Sequence, residues 1–270
     1  MKSIMIRICW LLIFGIVASC ATVPLTGRRQ LSLVNETEIQ QQAALAYSDL
    51  LGSPETKVVK GTSQAQLVQR VGKNIAAAVT RFLQENGFGN QYDFKWEFNL
   101  IQEDQINAWC MPGGKVAVYT GILPITKNEA GLATVMGHEV AHAIAKHSAE
   151  RMSQSIVAQA GGVAVDAATA EKSSTTRAVL NTAYGLGGQL ALLNYSRNQE
   201  SEADRLGLVF MAMAGYDPNE AVGFWERMAQ GKQAQGGGAP PEFLSTHPSD
   251  ARRINHIQKL IPEAMTYYKK

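Results

Sequence analysis

The chain has 270 residues, 46% hydrophobic and 18% charged, with a formal net charge of +2. That balance shows no basic footprint for nucleic acid and is too apolar for a disordered chain. The length suits a globular body with ample core.

Lys2 and Arg7 flank the start of an apolar run, residues 8–18, that is short for a spanning helix and ends in Val17-Ala18-Ser19-Cys20. This resembles the lipobox of bacterial lipoproteins, in which the leader is cut before a cysteine that takes up the acyl chains. The resemblance implies a signal peptide over residues 1–19 and a lipid on Cys20. Because Ala21 rather than Asp follows, it also implies the outer membrane of a Gram-negative envelope, on the periplasmic side. Several acyl chains on one residue anchor far better than one. Cys9 then leaves with the leader and Cys20 is blocked, so Cys110 stands alone, no intrachain disulfide is possible, and Cys110 reads as a core residue. Residues 20–35, polar and containing Pro24 and Gly27, read as a tether, and residues 36–265 as one domain.

The spacing of apolar residues predicts helices over residues 36–51 and 63–85, the second with Leu67, Val71, Ile75, Val79 and Phe82 recurring at three or four. Residues 92–101 alternate apolar and polar and read as a half-buried strand. Short strands follow at 107–111 and 115–121, separated by the turn signal Pro112-Gly113-Gly114. Thr126 and Glu129 make a capping-box pattern for a helix running to about Met152. Residues 161–188 are rich in Gly, Ala, Ser and Thr, which fits either small-residue helices or a mobile lid. Helices are expected over 190–214, 217–230 and 249–261, with a Gln/Gly/Pro-rich loop over 231–241.

The helix containing residues 130–145 is apolar nearly all round, yet it holds His138, Glu139 and His142. Buried charge is costly unless it is paired or coordinates a metal. His138 and His142, four apart, share one helix face and can hold one Zn²⁺ per chain, with Glu139 beside them to act on a metal-bound water. A catalytic zinc wants a third protein ligand. The extended H-E-x-x-H-x-x-G-x-x-H pattern fails to supply it, since Ala145 and Ser148 stand where Gly and His are required. His147 is rotated about half a turn from His138 and reads as a surface or cap residue. On the 190–214 helix, Glu200 and Asp204 interrupt a stripe with Leu193, Leu208 and Met211. Glu200 is the best remaining ligand, and Asp204 is placed to accept a hydrogen bond from the second nitrogen of a ligating histidine. Glu202, rotated away, should be solvated. A surface stripe in which these acids pair with Arg197 and Arg205 is the competing reading.

Three motifs together resemble the HtpX/CAAX-prenyl-protease type of zinc metallopeptidase, peptidase family M48. They are His138-Glu139-Val140-Ala141-His142, then Ser196-Arg197-Asn198-Gln199-Glu200 continuing to Asp204, then Thr246-His247-Pro248 with Arg252-Arg253-Ile254. Asn107-Ala108, Pro112-Gly113-Gly114 and Gly121-Ile122-Leu123 match the strand that precedes the family's catalytic helix. The likeness covers roughly residues 32–261, and the chain is similar to the soluble periplasmic lipoprotein branch. It implies an α+β, predominantly helical zincin-type (gluzincin) domain with a small antiparallel β-sheet beside the active-site helices. It implies Zn²⁺ on His138, His142 and Glu200, and Glu139 as general base. His247 and Arg252 are candidates to stabilise the oxyanion. His247 is equally readable as an N-cap or as a plug in the open metal position.

The strand starting Lys115-Val116-Ala117-Val118 is expected to be the edge to which an extended peptide adds, so that unfolded or extended polypeptides are the substrates. The implied activity is endopeptidase cleavage of misfolded or unassembled envelope proteins. The alternative is a zinc-stabilised chaperone or scaffold without proteolysis. No nucleic-acid partner is expected, membrane contact is through the lipid, and the sequence carries no mark of oligomeric state.

Overall fold

A computed structural model describes residues 20–234, 242–248 and 251–268. The 1–19 leader, most of the 231–241 loop and Ser249 lie outside these residues. The chain divides into two compact units: residues up to Glu36 with Lys146–Gln199, and Thr37–Ala145 with Glu200 onward.

In the first unit, β1 (Cys20–Thr22) and β2 (Arg29–Leu31) pair antiparallel, with Cys20 opposite Leu31. The expected tether therefore folds back on itself. Gly27 makes this possible by adopting φ +66°, which a side chain would resist. The segment is fastened to α5 (His147–Ala168): Arg28 donates two bonds to Glu150, at 2.7 and 2.9 Å, and the Leu33 N–H donates to Ser153 Oγ at 2.9 Å. After a turn at 169–173 the chain returns as α6 (Ser174–Met213). Tyr184 donates to the Ala158 carbonyl at 2.7 Å, and Arg177 pairs with Asp166 at 2.9 Å. Of the two readings of residues 161–188, the structure forms the helical one.

The second unit holds α1 (Glu36–Gly52), β3 (Val58–Val59), α2 (Ser63–Glu85), β4 (Glu97–Ile101), β5 (Ala108–Met111), β6 (Lys115–Tyr119), the single turn α3 (Leu123–Thr126) and α4 (Glu129–Ile144). It also holds the end of α6, then α7 (Glu220–Ala234), α8 (Glu242–Thr246) and α9 (Ala251–Met265). Thr62 caps α2 by accepting from the Ala65 N–H at 3.1 Å, and Val68, Val71, Ile75 and Val79 are its fully buried face. Residues 231–234 continue α7 rather than starting a loop. Among the described residues no helix is long and apolar enough to cross a membrane.

The α+β, mostly helical class holds, but the sheet differs from expectation. Its order is β3-β4-β6-β5, with β4 and β6 parallel and the other pairs antiparallel, so it is mixed. Gly113 and Gly114, at φ +81° and +84°, turn β5 tightly back into β6. Because β5 has already taken the outer place, β6 slots between β5 and β4. Lys115, Val116, Ala117 and Val118 are therefore in the interior of the sheet and not at its edge. The free edge beside α4 belongs to β5.

Residues 92–96 keep the alternation but not the strand. Tyr92, Phe94, Trp96 and Phe98 stack in sequence, with ring centroids 5.5, 4.6 and 6.0 Å apart, while regular pairing starts only at Glu97. At the start of α4 the cap is Asn128, which accepts from the Gly131 N–H at 2.7 Å. Thr126 instead closes the preceding turn by donating to the Leu123 carbonyl at 3.0 Å. The helix ends at Ile144 rather than near Met152, and Lys146 turns left-handed at φ 52° before α5 begins.

Candidate metal centre

Every residue of α4 from Gly131 to His142 is buried. Such a helix can hold polar side chains only where partners meet them. The partners arrive on α6 through an unusually close crossing. A Cβ at Gly137 would stand 2.8 Å from the Gly207 carbonyl oxygen, and one at Gly207 would stand 2.8 Å from the His138 nitrogen. With no side chain on either residue the two backbones touch. The neighbouring turns then place His138 and His142 against Glu200 and Asp204.

One donor atom from each of His138, His142, Glu200 and His247 lies within 4.8 Å of the other three. His138 Nε2 is 3.2 Å from His142 Nε2, 3.2 Å from His247 Nδ1 and 3.3 Å from Glu200 Oε2. His142 Nε2 is 3.2 Å from the other oxygen of Glu200, and His247 Nδ1 is 2.9 Å from Oε2. Tetrahedral zinc with nitrogen and oxygen ligands near 2.0–2.1 Å sets its ligand atoms about 3.3 Å apart. The donor set and its spacing fit that ion.

The surrounding groups orient the donors. Asp204 Oδ1 lies 3.1 Å from His138 Nδ1, the nitrogen turned away from the cluster, and so fixes that ring with Nε2 facing inward. Asp204 is itself gripped by Arg253, through Nε at 2.9 Å and a terminal nitrogen at 2.7 Å. Arg253 also donates to the Pro248 carbonyl at 3.1 Å, and its guanidinium lies 3.6 Å from the centroid of Trp225. His247 is presented from the end of α8, where the Phe243 ring sits 4.8 Å from its own. Glu139 is 4% exposed, and its Oε1 accepts no hydrogen bond. His247 Nε2 lies 3.4 Å from that oxygen. A buried carboxylate oxygen left unpaired is an acceptor held for something else.

The charges follow from these contacts. Burial pushes the Glu139 carboxyl up, and the nearby histidines only partly offset it. Burial also opposes ionisation of Glu200 and Asp204. Hydrogen bonds from the three histidines outweigh it for Glu200, and the Arg253 charge with the His138 bond outweighs it for Asp204. Both therefore sit below the usual carboxylate range. For His138, burial is overcome by Asp204 and Glu200, which raise it to about 9.

These shifts make a prediction for chelator-treated protein. Depressed acids contribute stability that is full above their unfolded values, near 4, and lost as pH falls. A raised histidine contributes stability that is full below about 6.5 and lost as pH climbs toward about 9. Thermal melts should therefore peak at about pH 5–6.5 and decline on both sides. A melting temperature flat from pH 6.5 to 9 would contradict the His138 arrangement.

Several placements differ from the sequence reading. Arg252 is exposed, and its neighbour Arg253 enters the site, because Arg253, Ile257 and Ala264 form the buried face of α9. Glu202 is 7% exposed rather than solvated, and His147, read as a surface or cap residue, is fully buried at the first position of α5. Arg253 stands in the third sequence motif without an assigned role, and Trp225 stands in none of the motifs. The signal was available for Arg253: it shares a helical face with Ile257, and an acid such as Asp204 on an apolar face needs a cation.

The edge strand β5 runs beside α4, and the thiol of its half-buried Cys110 is pushed up by burial and then by the Glu139 charge. An open strand edge next to a buried, unpaired carboxylate and a histidine-rich metal cluster on crossed helices defines a metallopeptidase-type site. The family comparison makes that specific: residues 64–261 match the model of Peptidase family M48, and the chain belongs to that family. It is 36% identical over 245 residues to the mitochondrial metalloendopeptidase OMA1 of Schizosaccharomyces pombe, covering 90% of this chain and 66% of that one. It is 38% identical over 178 residues to the Saccharomyces cerevisiae protein of the same name, covering 64% and 49%. It is also 29% identical over 189 residues to the beta-barrel assembly-enhancing protease of Escherichia coli, covering 65% and 38%. The chain thus spans at most two thirds of the length of these relatives.

Proposed function

We propose that this chain is a zinc endopeptidase of the bacterial envelope that cuts extended segments of misfolded or unassembled proteins. The observation that carries the reading is the cluster itself: four converging donors with the unpaired Oε1 of Glu139 beside them. In this reading His138, His142 and Glu200 hold the ion, one per chain. Zinc, when bound, supplies a Lewis acid and makes water acidic enough to react near neutral pH. Glu139 takes the proton from the attacking water at its unpaired oxygen and hands it to the leaving amine. Its upward-shifted carboxyl suits both halves of that transfer. Asp204 and Arg253 hold His138 in register. Edge strand β5 offers its outer side to an extended peptide, which favours unfolded substrates over any one sequence.

The envelope setting rests on the lipobox at Cys20 and on the relatives named for beta-barrel assembly. Residues 1–19 are then the signal peptide, Cys20 the lipidated residue and the outer membrane the site of attachment. The test is hydrolysis of an unfolded protein such as reduced casein by zinc-loaded and chelated enzyme. Chelation should abolish cleavage and zinc should restore it. A zinc-loaded protein that stays inert, even as His247→Ala, would favour the non-proteolytic scaffold.

His247 stands where a fourth ligand would, 2.9 Å from Glu200 and 3.2 Å from His138. A catalytic zinc keeps one position open. His247 in that position would hold the enzyme latent. His247→Ala should raise initial cleavage rates by several-fold or more while zinc content stays near one per chain. Equal or lower rates with zinc retained would assign His247 to the reaction itself.

A further inference from the structure

The helical hairpin of α5 and α6 carries two long stretches without charge. Residues 152–165 and 178–196 contain no Asp, Glu, Lys, Arg or His. Met152, Ile156 and Val163 recur at helical spacing and so share one face of α5. They are 45%, 47% and 71% exposed, and on α6 Val179 and Leu180 are 62% and 43% exposed. Between these residues lie Ser, Gln, Ala and Gly. The charged side chains of the hairpin gather near its turn, at Asp166, Glu171, Lys172 and Arg177, and at its root, at Glu150, Arg151 and Arg197. Bulky apolar residues spaced along a small, uncharged polar background suit a surface that is itself apolar and weakly charged. They do not suit an acidic or basic partner.

The root of this hairpin is also where Cys20 is held. The residues flanking β2, which pairs with the strand that begins at Cys20, are bonded to the first turns of α5 through Arg28–Glu150 and Leu33–Ser153. We infer that the exposed apolar face of α5, formed by Met152, Ile156 and Val163, lies in the lipid interface, seated shallowly beside the anchored Cys20. The inference rests on the lipid-anchor reading for proximity, but the face itself is independent of acylation. Insertion is driven by apolar area at packing defects, with little dependence on anionic lipid, because the face carries no cations. The bilayer then holds the first unit by two points, the acyl chains and the hairpin.

The experiment uses the full chain on phosphatidylcholine vesicles doped with a phosphatidylcholine that carries a photoreactive acyl chain. Adducts are mapped by mass spectrometry. Lipid adducts are expected within residues 152–165, at yields unchanged by high salt. In Ile156→Glu/Val163→Glu these should fall by about tenfold or more, with an unaltered melting curve and adducts near Cys20 retained. Adducts confined to the region of Cys20, equal yields in the double variant, or hairpin-to-hairpin links between two copies in place of lipid would each overturn the inference. The acyl mass on Cys20 is read in the same spectra. Its absence with hairpin adducts present would sink the anchor and leave the hairpin assignment standing.

Discussion

Glu139→Gln is expected to lower cleavage of an unfolded substrate by about 100- to 10,000-fold, the range a positioned general base contributes, while zinc content stays at one per chain. The substitution keeps the size of the side chain and the helix, and it leaves His138, His142 and Glu200 untouched, so the donor cluster should persist. What it removes is the basic oxygen that accepts no hydrogen bond and has His247 Nε2 3.4 Å away. That oxygen also has a stability consequence. A carboxyl whose folded-state value is raised destabilises the fold increasingly as pH rises above its unfolded value. The Gln variant should therefore melt no lower than the parent at neutral pH, and the gap in its favour should narrow on acidification. Activity retained within a few-fold would remove Glu139 as the base. Activity lost together with zinc would mean that the residue supports the ion instead.

The local half of this site was legible in the sequence because helix periodicity is local. His138 and His142 share a face by spacing alone, and Glu200 and Asp204 stand out as acids on an apolar stripe. What escaped depends on contacts between distant segments. The β5–β6 hairpin reads correctly from Pro112-Gly113-Gly114, but nothing local says that β6 returns to the inside of β5 and runs parallel to β4. The peptide-accepting edge was therefore placed one strand away. Arg252 and Arg253 are adjacent and chemically alike, and only the phase of α9 against Trp225 and Asp204 chooses between them. Glu202 and His147 are set apart from the site by helical rotation, which reads as solvent for the first and as a surface or cap position for the second. A rotation argument says which way a side chain points along its own helix, not what another segment lays over it. The break at Lys146 is similar, since a lysine with φ 52° carries no sequence signal and ends a helix whose apolar pattern would have continued.

Gly207→Ala is expected to damage the metal centre through a single methyl. A Cβ there would stand 2.8 Å from the His138 nitrogen, 3.0 Å from the Gly137 carbonyl carbon and 3.0 Å from the His138 Cα. All three are backbone atoms of a helix buried on every side, so no side chain can swing aside, and α4 and α6 must separate or tilt. Overpacking of this kind costs about 1–3 kcal/mol or more, several degrees in melting temperature for a chain of this size. The larger effect is on the metal. His138 and His142 ride on one of these helices and Glu200 and Asp204 on the other, with separations of 3.1–3.3 Å that a shift of half an ångström would spoil. Zinc affinity and cleavage should fall together, and added zinc should restore only part of the activity. Gly185→Ala is the matched control: it lies on the same helix, and a Cβ there meets nothing within 4 Å. By helix propensity alone it should stabilise by about 0.5–1 kcal/mol and leave zinc binding unchanged. Equal behaviour of the two variants would show that the glycine crossing does not set the geometry of the centre. Opposite signs would place the origin of the site in the absence of two side chains.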